Sequence, residues 1–303
     1  MNQLVHLTYF QAVLLGLLQG LTEFLPVSST AHMAIAPQLM GLGDPGAPFS
    51  AVAQLGPIVA IIAYFRHDLA RYWRGVLRTK TPGNIAPEDT DARIGWYVLL
   101  GTLPLAIFGV LLEKKIDTVF RNLNVIAISL IALGLVLWVA ERMSRGTRTL
   151  EQMTLQQSQV IGWAQVLALI PGTSRSGVTI TAGLFQDLDH ESAARFSFLL
   201  SIPAITLAGL YKLLKVLAQT HLGAEAGPYL VSALVAGVFA YVVVRWFLDY
   251  MKNHRTDIFI AYRITLGLVL LYLLHSGYLH QPKLEAATSP KTGHTPVPTR
   301  RVK

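Results

Sequence analysis

Ionisable and hydroxyl side chains occur in two clusters inside segments that are otherwise apolar. Residues 19–32 read QGLTEFLPVSSTAH, and residues 171–179 read PGTSRSGVT. A carboxylate, imidazole or guanidinium at membrane depth is costly, so such groups mark a functional site by default. A proline interrupts each cluster. The pattern therefore predicts two broken helices that meet at one polar cavity.

The first cluster has the composition of a nucleophilic site. Gln19 and Glu23 are four residues apart and share one face of a helix. Ser28 or Ser29 is suited to cap the helix that follows. Ser29 and His32 are three residues apart, which would bring a hydroxyl nucleophile close to an imidazole base on one helix. Glu23 can orient the imidazole, accept a proton or bind a hard divalent cation.

A purely structural interpretation of the first cluster stays open. The serines can cap the second helix, and Gln19 can bond one turn along its own helix. His32 can then extend to the membrane interface. The density of polar groups within one apolar segment favours the functional interpretation.

The second cluster favours an anion. A helix that begins after the Pro-Gly pair presents unpaired backbone N–H groups, and Arg175 adds a planar fork that matches two phosphate oxygens. Further hydroxyls of this segment are candidate substrate donors: Thr173, Ser174, Ser176 and Thr179. In the structural alternative, Thr173 and Ser174 cap the helix while Arg175 pairs with a carboxylate such as Glu23.

One further candidate lies outside both clusters. Gln54, in the run AVAQLGPIVAII, either reaches the cavity or packs against a neighbouring helix.

The composition identifies the class of protein that must position these clusters. Hydrophobic residues make up 52% and charged residues only 14% of the 303 residues, whereas soluble domains carry about 25% charged residues. The chain is therefore predicted to be an all-α polytopic membrane protein without a cleavable signal peptide. The net charge of +8 is assigned to basic membrane-flanking loops rather than to nucleic-acid binding. The absence of cysteine excludes thiolate metal sites and a cysteine nucleophile.

Apolar runs predict six full spans and two re-entrant helical hairpins. The spans are about 48–65, 95–112, 124–141, 196–216, 229–248 and 259–275. The hairpins are about 7–41, broken at Pro26 and Pro37, and 158–187, broken at Pro171-Gly172. A kinked spanning helix is the alternative for each hairpin.

The order of these segments predicts an inverted repeat within one membrane domain of residues 1–280. Each half, about 7–141 and 158–275, has one hairpin followed by three spans, an odd number of crossings. Basic loops at 66–94 and 142–157 are expected on the cytoplasmic side, which leaves both termini outside. Residues 281–303 are predicted to be a disordered basic tail. Inverted repeats with broken helices are typical of transporters, so a transporter stays among the hypotheses.

Both motifs resemble the signatures of the undecaprenyl-diphosphate phosphatases, the bacitracin-resistance family of bacterial inner membranes. QGLTEFLPVSSTAH resembles the first signature and PGTSRSGVT the second, and the similarity extends to about residue 280. Two positions differ from the pattern. Gln19 stands where a glutamate also occurs, which removes one charge for metal binding, and Ala31 stands where many members have glycine.

The resemblance implies an activity and a set of functional residues. The implied reaction is hydrolysis of the C55 isoprenyl diphosphate to its monophosphate, which regenerates the lipid carrier for peptidoglycan synthesis. The implied cofactor is a divalent cation, Mg²⁺ or Ca²⁺, and the implied site faces the periplasm. Carried over by motif, the functional positions are Gln19, Glu23, Ser29, His32, Ser174, Arg175 and Thr179.

The mechanism expected from these residues is phosphoryl transfer supported by charge. Ser29 is the first choice of nucleophile, with His32 as base and later acid, and Arg175 and a cation on Glu23 neutralise the phosphoryl group. Attack by water activated by His32 or Glu23, and attack by His32 itself, stay open. So do a lipid-phosphate flippase, a structural subunit without a ligand, and a homodimeric assembly.

Overall fold

A computed structural model describes residues 6–42, 46–86, 88–112, 122–219, 223 and 226–279. Within these ranges the chain is helical, and its extended structure is limited to an isolated bridge between Arg148 and Leu188. The α-helices, in chain order, are α1 Tyr9–Thr22, α2 Ser29–Leu39, α3 Gly46–Ala53, α4 Leu55–Thr79, α5 Thr90–Leu111, α6 Leu123–Met143, α7 Leu155–Ala164, α8 Arg175–Phe185, α9 His190–Gln219, α10 Ala226–Asn253 and α11 Asp257–His275. The tail predicted for residues 281–303 lies outside the described residues.

Six helical segments of the described chain are long and apolar enough to cross a membrane, and each overlaps one of the predicted spans. They are Pro48–Thr79, Thr90–Leu111, Leu123–Met143, His190–Lys215, Ala226–Asn253 and Asp257–His275. The polytopic all-α class is therefore confirmed.

The first of these segments extends well beyond its predicted span. The predicted loop 66–94 is wrong in its first half, because α4 continues to Thr79. Tyr72 and Val76 are buried on one face of this extension, and Gly75 lets the backbone approach Ala92 of α5. The basic side chains lie on the opposite, exposed face, so the helix is amphipathic past the point where the apolar run ends.

Both polar clusters interrupt helices, as predicted. Residues 23–28 separate α1 from α2, and residues 170–174 separate the 3₁₀ turn Gln165–Leu169 from α8. The break predicted at Pro37 is wrong, because Pro37 lies inside α2. A proline in a helix loses one backbone hydrogen bond. Here only the final turn is affected, and the helix ends two residues later.

Glycines let the broken helices approach the spans closely. A Cβ at Gly16 or Gly20 of α1 would lie 2.4 Å from the carbonyl oxygen of Ser232 or 2.5 Å from that of Ala236, both on α10. The short helix α7 approaches α5 in the same way, since a Cβ at Gly162 would lie 2.4 Å from the carbonyl oxygen of Gly101. Close backbone contact of this kind is how helices associate in lipid, where apolar burial contributes little.

A buried carboxylate joins three helices on the basic side of the molecule. Glu141, near the end of α6, is 3% exposed. Its Oε2 accepts hydrogen bonds from Arg255 Nε at 3.1 Å and His190 Nε2 at 2.9 Å. Its Oε1 accepts the N–H of Thr256 at 2.8 Å and also the Thr256 hydroxyl. Glu141 therefore links α6 to the α10–α11 turn and to the start of α9.

We expect Glu141→Gln to destabilise the fold by about 3 kcal/mol, because it removes the charge of a buried carboxylate that accepts several hydrogen bonds and leaves some of those donors facing an amide N–H₂. The measurement is the midpoint of thermal unfolding in detergent. Asp249→Asn is the matched control: this carboxylate is 78% exposed and pairs with Lys252, so we expect a change below about 1 kcal/mol. Equal midpoints for the two variants would contradict a structural role for Glu141.

Candidate active site at two helix breaks

The two helix breaks have the same local construction. Ser28 and Ser174 are N-caps with left-handed φ values of 72° and 67°. Each caps the helix that follows: Ser28 Oγ accepts the N–H of Ala31 at 3.4 Å, and Ser174 Oγ accepts that of Gly177 at 3.2 Å. A positive φ is strained for serine, and such strain is concentrated at functional sites. The capping predicted for both serines is confirmed.

Direct hydrogen bonds join the two breaks, although they are about 150 residues apart in sequence. The N–H of Gly172 donates to Thr30 Oγ1 at 3.3 Å, and Ser176 Oγ donates to the carbonyl oxygen of Leu25 at 2.9 Å. Phe24 anchors the first break, because its buried ring packs edge-on against Phe198 of α9 with centroids 5.4 Å apart. The predicted meeting of the two clusters is thus confirmed.

Glu23 is the centre of the site, and its carboxylate accepts four hydrogen bonds. Oε2 accepts from Gln19 Nε2 at 2.9 Å and from Ser29 Oγ at 2.8 Å. Oε1 accepts from Gln54 Nε2 and from Arg175 Nη2, each at 3.0 Å. Gln19 thus bonds one turn along its own helix, and Gln54 reaches this cluster. The side chain of Glu23 is 8% exposed, so these donors replace water almost completely.

Arg175 connects the second break to this carboxylate. It is the first residue of α8 and its side chain is 13% exposed. Its Nη2 donates to Glu23, and its Nη1 donates to the carbonyl oxygen of Ser201 at 3.3 Å. The ion pair that the structural alternative predicted is present. It also brings a guanidinium, a carboxylate and the Ser29 hydroxyl to one point, which is a constellation suited to phosphate chemistry.

His32 has different partners from those predicted. Its ring is buried, with 8% exposure, so it does not extend to the interface, as the structural alternative required. Nδ1 lies 2.8 Å from the carbonyl oxygen of Ser28 and must donate to it. In a neutral ring Nε2 is then the acceptor, and it lies 2.6 Å from the hydroxyl of Tyr262. The Ser29 hydroxyl donates to Glu23 instead, so the described contacts pair Ser29 with a carboxylate and not with imidazole.

The remaining hydroxyls of the second cluster are buried in the lining of the break. Ser174 Oγ and Ser176 Oγ lie 3.2 Å apart. Thr179 Oγ1 lies 2.6 Å from Ser197 Oγ and also bonds to the carbonyl oxygen of Arg175 at 2.9 Å. Thr173 Oγ1 is buried and has no hydrogen-bond partner within the described ranges, so it is an available donor.

Besides Gln54, two site residues come from neither motif, and neither was predicted from the sequence. Tyr262 and Arg263 are neighbours on α11, in the run IFIAYRITLGLVLL. Tyr262 bonds to His32, and Arg263 donates to the carbonyl oxygens of both breaks. A lone arginine within an apolar span was the available signal, because the cost of burying it requires a purpose.

The fold and the site define a class of protein: a polytopic helical membrane protein with a buried carboxylate, arginine and serine at two helix breaks. The chain belongs to the family of the bacitracin resistance protein BacA, whose model matches residues 12–269.

Curated relatives match most of the chain. An undecaprenyl-diphosphatase of Pelodictyon phaeoclathratiforme is 46% identical over 290 residues, which are 90% of this chain and 99% of the relative. The undecaprenyl-diphosphatase of Myxococcus xanthus is 47% identical over 90% of this chain and 91% of its own length. That of Chlorobaculum tepidum is 44% identical over 89% and 98%.

Proposed function

We propose that this protein hydrolyses undecaprenyl diphosphate to undecaprenyl phosphate and inorganic phosphate. The observation that carries the proposal is the contact of Glu23 with both the Ser29 hydroxyl and the Arg175 guanidinium. Relatives named undecaprenyl-diphosphatase, at 44–47% identity over about nine-tenths of the chain, support the same reaction. The product would be the recycled lipid carrier for peptidoglycan synthesis, and its regeneration would confer resistance to bacitracin.

The mechanism that the geometry favours begins with Ser29. Its Oγ forms a bond to the terminal phosphorus while the bond from that phosphorus to the bridging oxygen breaks, and undecaprenyl phosphate leaves. Glu23 accepts the hydroxyl proton, since its Oε2 already accepts that hydrogen bond at 2.8 Å. Water then hydrolyses the phosphoserine, which restores Ser29 and releases phosphate. Arg175 faces the negative charge that develops on the phosphoryl oxygens.

His32 enters this mechanism as a second-step group rather than as the base for Ser29. Its Nε2 is the acceptor nitrogen, and a shift away from Tyr262 would free it to activate the hydrolytic water. Direct attack by water and phosphorylation of His32 are the competing mechanisms, and the test below separates both from attack by Ser29.

The residues around Glu23 suit a divalent cation. Mg²⁺ and Ca²⁺ prefer oxygen ligands, and Mg²⁺ sites often combine one or two carboxylates with substrate phosphates. Glu23 and the Ser29 hydroxyl would supply such ligands. Gln19 and Gln54 turn their N–H₂ groups to Glu23, so each amide would have to flip to present its oxygen to a cation. Within the described residues no three His, Asp or Glu side chains cluster as a metal site, so phosphate oxygens would have to complete the coordination. A bound cation would neutralise phosphate charge.

We also propose that α1–α2 and α7–α8 are re-entrant hairpins of an inverted repeat. Three observations support this. Both breaks are capped by a serine with positive φ. Equivalent helices make equivalent contacts, since α1 packs on α10 as α7 packs on α5. The exposed basic residues of α4 and of the 144–154 turn lie on the same side of the proposed membrane domain, and the positive-inside rule assigns that side to the cytoplasm. The first hairpin then opens to the periplasm in a bacterial inner membrane.

Lipid flipping is the second candidate function, and only the proposed inverted repeat supports it. The relatives carry phosphatase names, so the comparisons do not favour it.

We expect Ser29→Ala to lose phosphate release from a C55 diphosphate by at least about 10³-fold if Ser29 is the nucleophile. The assay uses purified protein in detergent, with Mg²⁺ or Ca²⁺ and then with EDTA, which should abolish release by the wild type. Phosphate release that persists in Ser29→Ala would show that water or His32, and not Ser29, attacks the phosphorus. No release by the wild type under any condition would refute the phosphatase and leave lipid transport to be tested.

A further inference from the structure

Arg263 is a fully buried cation in the middle of an apolar helix. Its side chain has 0% exposure, and it belongs to α11, which contributes to neither sequence motif. No carboxylate in the described part of the chain forms an ion pair with it. A buried guanidinium is costly unless its N–H groups are bonded. The hydrogen bonds that Arg263 makes must therefore offset the cost of burying its charge.

Those contacts are backbone carbonyl oxygens of the two helix breaks. Nη2 donates to the carbonyl oxygens of Thr173 at 2.8 Å and Gly172 at 3.5 Å, which belong to the second break. Nη1 donates to the carbonyl oxygen of Pro26 at 3.4 Å, which belongs to the first break. Three carbonyls that leave the helical pattern thus receive donors from one side chain.

We propose that Arg263 is a positioning residue that holds the two breaks at a fixed separation, and so aligns Glu23 and Ser29 with Arg175. The proposal deepens the proposed function and rests on it for its activity measurements. Glu23 follows α1 and Arg175 begins α8, so any relative movement of the breaks separates the carboxylate from the guanidinium. A displacement of about 1 Å at a reacting group can lower the rate about 10²-fold.

Only a planar, forked cation fits this position. The guanidinium donates from two nitrogens in different directions, so it reaches both breaks at once, whereas a lysine ammonium is a single point. Gly177 leaves the space that the guanidinium occupies, since a Cβ at this position would lie 2.3 Å from Arg263 Nη1. This contact assigns a physical reason to the glycine that follows Arg175-Ser176.

The test is a double-mutant cycle between Arg263→Met and Gly177→Ala. Each single variant is expected to lower kcat for C55-diphosphate hydrolysis by about 10²-fold with KM changed less than about threefold, because the breaks separate while the substrate groups stay present. Arg263→Lys should lose nearly as much. Once Arg263 is methionine, the Gly177→Ala change should cost much less activity than it costs alone, because Arg263 Nη1 is the atom that the added Cβ approaches most closely.

A distance measurement provides a second readout that does not depend on catalysis. The chain has no cysteine, so Leu39→Cys on α2 and Phe185→Cys on α8, 55% and 41% exposed, can each carry one spin label. We expect one narrow distance distribution for the labelled wild type and a shifted or broader one for Arg263→Met and Gly177→Ala. Arg245→Met, at an exposed arginine of α10, is the matched control and should change neither readout.

Each outcome decides the proposal. An unchanged distance distribution in both variants would overturn it, as would additive losses in the double mutant or wild-type kcat in Arg263→Met. If Arg263→Met does not fold, Gly177→Ala retains the buried charge and carries the test alone. If the wild type releases no phosphate, the proposed function fails, and the distance measurement still decides the role of Arg263.

Discussion

Glu23→Gln is expected to lower kcat for diphosphate hydrolysis by at least about 10³-fold. Two effects combine in this variant. The amide cannot take the proton that Ser29 releases, and general-base catalysis alone contributes about 10²–10⁴-fold. The Arg175 and Gln54 donors, each 3.0 Å from Oε1, also lose their charged acceptor, so the site loses its alignment.

The comparison of kcat with KM makes this prediction specific. Removing a negative charge should not weaken binding of an anionic diphosphate, so we expect KM to stay within a few fold while kcat falls. Because Glu23 is also the proposed cation ligand, the variant should need more Mg²⁺ for half-maximal activity, so KM is compared at saturating Mg²⁺. Glu151→Gln, at an exposed glutamate, is the control and should behave as the wild type. A kcat for Glu23→Gln within tenfold of the wild type would remove Glu23 from the chemistry.

Arg175→Lys is expected to lower kcat/KM by about 10²–10³-fold. The guanidinium bonds through two nitrogens, to Glu23 and to the carbonyl oxygen of Ser201, and an ammonium cannot reproduce both contacts while facing phosphate. Arginine charge on a transferred phosphoryl group is worth about 10³–10⁵-fold in well-studied enzymes, and lysine retains part of it.

The control for this prediction is Arg142→Lys, because Arg142 is 49% exposed and pairs with Asp257 at the surface. It should retain wild-type kcat/KM. Arg175→Ala should fall further than Arg175→Lys if charge as well as shape matters. Near-normal turnover by Arg175→Lys would show that the planar fork is not needed and would remove Arg175 from the phosphate site.

The local features of the site could be predicted from the sequence because short-range chemistry determines them. Proline and serine at residues 26 and 28, and at 171 and 174, end one helix and cap the next, and both breaks lie where these residues predict them. The four-residue spacing of Gln19 and Glu23 likewise produces their hydrogen bond. Helix ends were less predictable, since the amphipathic end of α4 has the composition of a loop.

The sequence by itself thus determined the membrane class, the two helix breaks and the side chains available for chemistry, because composition and local spacing are sufficient for these. Only the tertiary structure decided which groups meet. Ser29 and His32 lie one turn apart on α2, yet Ser29 bonds to Glu23 in the break before that helix and His32 to Tyr262, 230 residues away. Arg263 reaches both breaks from α11. Such contacts depend on how the spans pack, and no spacing within one motif contains that information.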